Sequence, residues 1–167
     1  MNIQEKQFVV QNPLLTGLLL WRFARAYLDA DSTNSGPILP KGMIAMAILF
    51  HRRSVETIRS MQKASGLLKA LNDEPLIRLG IQERLEAFGP SVFAGINVAS
   101  AAGLLTLSSG ELGWPAIMPS LRPKGIPAGL LPDAESVGDM LKASDRLGPW
   151  FAAFGLPTLC SMLQVRF

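Results

Sequence analysis

Residues 11–29, "Q-N-P-L-L-T-G-L-L-L-W-R-F-A-R-A-Y-L-D", constrain this chain's fold more than any other stretch, because leucines and aromatics crowd nearly every side while two arginines sit among them. Asn12 before Pro13 starts a helix: the amide side chain accepts a bond from a free first-turn N–H, and proline has no N–H to leave unpaired. The helix is predicted over about residues 13–30. Leu14, Leu18, Trp21, Arg25 and Leu28 follow one side at helical spacing, and Leu15, Leu19, Phe23 and Ala26 widen the apolar zone, so most of the helix is enclosed. Arg25 can pair with Asp29 one turn on, but an exposed pair adds only ~0.3 kcal/mol. Stability alone does not explain arginines here, and the strip they form faces either water or a partner.

The segment is neither a secretion signal nor a membrane anchor. Glu5 and Lys6 cancel where a signal peptide is basic, and Trp21-Arg22-Phe23 stands where small residues are needed. Uninterrupted apolar runs such as Met43 to Phe50 fall well short of the ~18 residues that span a bilayer, so no transmembrane segment is expected. Cys160, the only cysteine, lies among Leu156, Leu159, Met162 and Leu163 and reads as a small buried hydrophobe in a reducing, cytoplasmic setting.

The 167 residues suit a single domain, 1–167. Only 17% are charged, against ~25% in an ordinary soluble domain, so either the core is large or apolar surface meets a partner.

Asp31 to Pro40, "D-S-T-N-S-G-P-I-L-P", makes an irregular crossing, and Lys41 to Phe50 resumes as a buried helix without a polar face. His51-Arg52-Arg53 is expected to end it, cations complementing its free carbonyls, with Ser54 capping the next short helix. Ser65 caps a helix through Leu71, and Asp73 one through Phe88, which Gly89-Pro90 stops. Ser91 opens a small-residue helix ending at Gly103, and "L-L-T-L-S-S-G-E-L-G-W" reads as strand, tight turn, strand. Residues 115–132, rich in Pro and Gly, are predicted as a loop or arm. Asp133 caps a last long helix that Gly148-Pro149 kinks or divides, and Pro157 starts a short closing helix. The expected fold is mainly α, a compact multi-helix domain with a small β-hairpin. Its central helix–helix–hairpin order is winged-helix-like.

The catalytic inventory is thin. There is one His and one Tyr, no phosphate-binding G-x-x-x-x-G-K-[ST] loop, and no clustered His and Cys for a metal, so neither cofactor nor enzymatic activity is expected. His51 stands beside two arginines that disfavour its protonated form, which suits a helix end or interface better than acid–base work. Groove recognition by a winged helix needs phosphate-neutralising cations, yet no Lys or Arg occurs between Ser91 and Gly113. The basic stretch 51–63, with Arg52, Arg53, Arg59 and Lys63, is the alternative contact for nucleic acid, or simply a solvated face.

The order of "N-P-L-L-T-G-L-L-L-W-R-F-A-R-A-Y", "G-P-I-L-P" before "M-I-A-M-A-I-L-F-H-R", and the close "D-R-L-G-P-W-F-A-A-F-G-L-P-T-L-C-S-M-L-Q-V-R" resembles the middle component of bacterial three-component ABC systems. The resemblance runs along almost the full chain. It implies a small accessory subunit beside a large ABC-type ATPase of the chromosome-maintenance and repair type and a third, variable component, in bacterial conflict or anti-phage defence. It carries over no catalytic residue.

Two functions compete on these observations: a non-enzymatic adaptor that docks onto partner subunits, and a nucleic-acid-binding winged-helix subunit using residues 51–63. Aromatic and arginine side chains commonly anchor protein interfaces. The expected contact residues are accordingly Trp21, Arg22 and Arg25 in the first helix, Arg52 and Arg53, and Trp114 after the hairpin.

Overall fold

The computed structural model describes residues 12–120 and 135–167. Among them the chain forms seven α-helices and one two-stranded antiparallel sheet, the mainly α class expected. The order is α1 (Pro13–Ala30), α2 (Leu39–Leu49), α3 (Arg52–Ser60), α4 (Gly66–Asp73), α5 (Ile81–Ala101), β1 (Leu105–Ser109), β2 (Pro115–Pro119), α6 (Glu135–Ala152) and α7 (Leu156–Leu163).

Helix α1 begins where Asn12 and Pro13 place it. The Asn12 side chain accepts from the Leu14 and Leu15 N–H groups at 3.0 and 3.1 Å. Leu15, Leu19, Leu20, Phe23 and Ala24 are fully buried, because α1 lies against both α5 and α6. Close backbone approach makes this possible. A Cβ on Gly95 of α5 would stand 2.7 Å from the Thr16 side chain, and one on Gly148 of α6 would stand 2.6 Å from Ala26 Cβ and the Tyr27 nitrogen.

Several expected boundaries move. Helix α2 starts at Leu39 with Pro40 in its first turn, where the missing N–H has no intrahelical partner to lose. His51, Arg52 and Arg53 do not end α2; they open α3, and Ser54 is buried inside that helix and bonded to His51 Nδ1 at 2.7 Å. The carbonyl end of α2 is instead met by Arg84, whose Nε donates to Ala47 O at 3.0 Å. Asp73 ends α4 rather than opening a helix, and a short 3-10 turn at Pro75–Ile77, capped by Glu74, leads to α5.

The largest correction is that Gly89-Pro90 does not stop a helix: α5 runs unbroken from Ile81 to Ala101. Pro90 lies on the exposed side, as does Glu86, whose carbonyl loses the proline's missing N–H and can turn to water. The inward stripe of Leu85, Gly89, Val92, Ile96 and Ala99 continues past it. The two helices of the winged-helix order are therefore one helix before the hairpin. Gly103, at φ 72°, follows the helix end as its sequence position predicts. Helix α6 likewise passes through Gly148-Pro149 to Ala152.

The second strand lies later than expected, at 115–119, inside the segment predicted as loop. Ile117 N–H points away from β1 and donates to Pro37 O at 2.8 Å. Pro115 and Pro119 share its two-residue phase, so they withhold no bond from β1. Ile38 bridges Ala116 on that other side, tying the 31–38 crossing to the hairpin. Residues 121–132 of the predicted arm, and the Asp133 cap, lie outside the described residues.

The glycine contacts are directly testable. Gly95→Ala is expected to destabilise by about 1–3 kcal/mol through overpacking, whereas Gly138→Ala in α6, where a Cβ meets nothing, is expected to stabilise by about 0.5–1 kcal/mol. Urea denaturation of the two variants would show opposite shifts in midpoint; equal effects would refute the close approach.

Candidate functional site

Trp21, Arg22 and Arg25, three of the six expected contact residues, line one open cleft of about 330 Å³ with Ala26, Asp29, Lys63, Asp145 and Pro149. Spacing on α1 sets this: residues three or four apart share one helix side, here the side that borders α6. The Trp21 indole N–H donates to Ser120 O at 3.0 Å, which orients the ring along the wall. Arg22 reaches across to α6 and holds both oxygens of Asp145, its Nε at 2.9 Å from Oδ1. Arg25 pairs with Asp29 at 3.7 Å, as the four-residue spacing predicts, but its Nη1 is buried and has no hydrogen-bond partner among the described residues.

The other three expected residues lie elsewhere. Arg52 and Arg53 stand exposed on α3, bonded to Glu56 and Glu74, each at 2.7 Å. Arg59 pairs with Asp139 at 3.3 Å. Each arginine of the basic stretch 51–63 thus already has a carboxylate, which weakens it as a phosphate-neutralising face. Trp114 is part-buried after the hairpin turn and meets the Phe167 ring edge-on, centroids 6.2 Å apart.

Lys41 was not singled out from sequence, yet among the described residues it is the most heavily buried cation, 4% exposed. Its ammonium donates to Tyr27 Oη at 2.8 Å, Phe154 O at 2.7 Å and Phe151 O at 3.2 Å, satisfying all three N–H groups. The two carbonyls lie at the C-terminal end of α6, where positive charge is favoured. A smaller cavity of about 180 Å³ adjoins it, bordered by Asp31, Thr33, Ser35 and Glu111. The sequence hint was a lone lysine at the head of an otherwise apolar helix; its acceptors, more than a hundred residues away for Phe151 and Phe154, left no local signal.

A sequence model of the family described as ABC-three component (ABC-3C) system Middle Component 3 matches residues 2–167. The chain belongs to this family. The resemblance seen in the motifs therefore holds over the whole chain, and this Middle Component 3 chain is one component of a multi-component ABC system. No curated protein and no solved structure matches it.

Burial and neighbouring charges shift several titratable groups of this Middle Component 3 chain. Burial pushes the Lys41 ammonium below its ordinary range, against the nearby charges of Glu111 and Asp31. Tyr27, beside it, is pushed up to about 12 by burial and the same two carboxylates. Burial raises the Cys160 thiol, so it stays protonated; the side chain is half-buried against the core rather than fully enclosed. For Asp31, burial alone would raise the carboxyl, but bonds from Thr33 and Ser35 and the charge of Lys41 together hold it below its usual value. His51 is lowered from 6.5, first by burial and then by Arg84, with Arg53 adding to this against the pull of Glu74. Among the described residues no three His, Cys, Asp or Glu side chains gather as a metal site, and no helix is long and apolar enough to cross a membrane.

Two outcomes follow for this Middle Component 3 chain. Lys41→Met strands a buried hydroxyl and the Phe151 and Phe154 carbonyls and is expected to lower stability by about 2–3 kcal/mol in urea unfolding; a loss within error would deny that these bonds stabilise the fold. Because folded His51 binds a proton less readily than the unfolded chain, its contribution is present above the unfolded value of 6.5 and is lost as pH falls below it. Asp31 and Glu74, both held low, begin to lose their contributions only as pH falls through their ordinary values of 3.8 and 4.5. The melting temperature should therefore fall between about pH 7 and about pH 5, and fall less in His51→Gln.

Proposed function

We propose that this chain is a non-enzymatic adaptor that docks onto the other components of its ABC-three component system, an ABC-type ATPase and a third subunit, in the bacterial cytoplasm and in anti-phage defence or conflict. The observation that carries the reading is a long stretch of chain without charge that leaves large apolar side chains exposed. Residues 87–110 contain no Asp, Glu, Lys, Arg or His, and they span most of α5 and the strand β1. Along this stretch Phe93 is 50% exposed and Leu107 48%, with Val98 and Thr106 also exposed. Leu112, in the turn that follows, is held at φ 56°, a left-handed conformation unfavourable to leucine, with its side chain in the open. Large apolar side chains left exposed along a charge-free stretch are of the kind found at the charge-depleted centres of protein interfaces.

The non-enzymatic part of the reading draws on how the reactive groups are occupied. Lys41 has all three N–H groups engaged, His51 is bonded to Ser54, and the Cys160 thiol is raised. The nucleic-acid alternative has less support, since Arg52, Arg53 and Arg59 are each paired.

Co-expression with the products of the neighbouring genes, followed by size-exclusion chromatography, should give one stable complex. Phe93→Asp is expected to weaken that complex roughly tenfold, about 1.4 kcal/mol, while shifting the chain's own stability by less than about 1 kcal/mol. Elution of this chain as a lone monomer under all conditions would overturn the adaptor reading.

A further inference from the structure

We propose that the tip of the hairpin is a protein-binding anchor: Leu112 inserts into an apolar socket on another component of the system, and a Lys or Arg at the rim of that socket pairs with Glu111. The inference rests on the adaptor reading and names the chemistry of the partner surface which that reading requires.

The backbone at the tip gives the first reason. Leu112 lies at φ 56° and ψ 24°, in the left-handed region, where the Cβ of an L-residue crowds the following carbonyl oxygen. The other non-glycine residues with positive φ among the described residues are Asn34 and Gln164, so Leu112 is the one large apolar side chain held this way. Glycine or asparagine suits such a turn position better. Packing does not repay the strain either, since Leu112 is 67% exposed. Local folding therefore supplies no reason for a leucine here.

The tip is also stiff at its base. A Cβ on Gly110 would collide with Trp114 O and stand 2.9 Å from Ile38 Cγ2, and the Trp114 N–H donates to Glu111 O at 3.0 Å. A side chain presented on a turn pinned in this way loses less freedom on binding than one on a loose loop.

Charge narrows the partner. Glu111 is the one charged residue between Glu86 and Arg122. It is exposed and forms no ion pair among the described residues; its charge reaches Tyr27 and Lys41 only through space. A single carboxylate beside an exposed leucine, in an otherwise neutral stretch, complements an apolar socket with one cation at its edge. The same charge disfavours a nucleic acid, whose phosphates would meet Glu111 and no cation anywhere between Glu86 and Arg122.

The test measures two quantities for each variant: the urea midpoint of the chain alone, and its affinity for the purified products of the neighbouring genes. Leu112→Asn places a residue that tolerates the left-handed region, and is expected to raise the midpoint while weakening the complex roughly tenfold or more. A leucine that served only the fold would instead lower the midpoint when replaced. Leu112→Met, similar in size, should retain more affinity than Leu112→Asn. Glu111→Lys should weaken the complex, most strongly at low salt. If Leu112→Asn and Glu111→Lys bind as tightly as the wild type while Phe93→Asp does not, the anchor is overturned and the adaptor reading stands. If wild-type chain forms no complex, both fall. A dimer of the chain alone that Leu112→Asn dissolves, or binding of a short DNA duplex that Leu112→Asn abolishes, would give the tip a different occupant and overturn the socket.

Discussion

The structure depends on α1 being held at backbone distance from two helices at once. On one side Gly17 and Gly95 bring α1 against α5; on the other Gly148 brings α6 onto Ala26 and Tyr27. These approaches leave no room for a methyl group, so the large side chains between them have only one arrangement to fill. Phe23 meets Phe151 edge-to-face at 5.6 Å, and both are fully buried. With α1 enclosed on two sides, its remaining strip, Trp21, Arg22 and Arg25, is the part left to form the cleft wall.

A second constraint follows from how few charges the chain carries. Several of its long cations serve as remote donors to chain-end carbonyls rather than as solvated charge. Lys41 meets the end of α6, Arg84 meets Ala47 at the end of α2 and the turn carbonyls of Ile77 and Leu79, and Arg146 donates to Met61 O after α3. Carbonyls at helix ends have no intrahelical donor, and these side chains supply one without a capping residue nearby. Arg22 answers the opening question about the arginines in a third way. Its fork is taken by the Asp145 carboxylate of α6, while the side chain stays 38% exposed.

What was legible in the sequence was what local geometry decides. The Asn12-Pro13 start, the Arg25–Asp29 pair, the stop at Gly103, the closing helix around Pro157 and the clustering of Trp21, Arg22 and Arg25 on one side each depend on residues within a few positions. The misread boundaries share one cause. Pro90 ends a helix by local rules, yet α5 continues, because packed apolar stripes on either side outweigh one lost hydrogen bond; α6, too, is not divided at Pro149. The prolines of β2 were read as loop because only the pairing direction shows that their missing N–H groups withhold nothing from β1. Arg52 and Arg53 looked like the end of α2 because a cation suits a helix end locally, but Arg84 occupies that role from thirty-odd residues on and leaves them to open α3.

The sequence by itself determined the class of the fold, the placement of α1 and its charged strip, and membership of the family, since caps, helical spacing and motif order are local or linear properties. Only the tertiary structure decided which charges are spent and which remain available. Asp145 lies 123 residues from Arg22, and Phe154 lies 113 from Lys41. Pairings across such distances have no periodicity to betray them, and it is they that saturate Arg22 and Lys41.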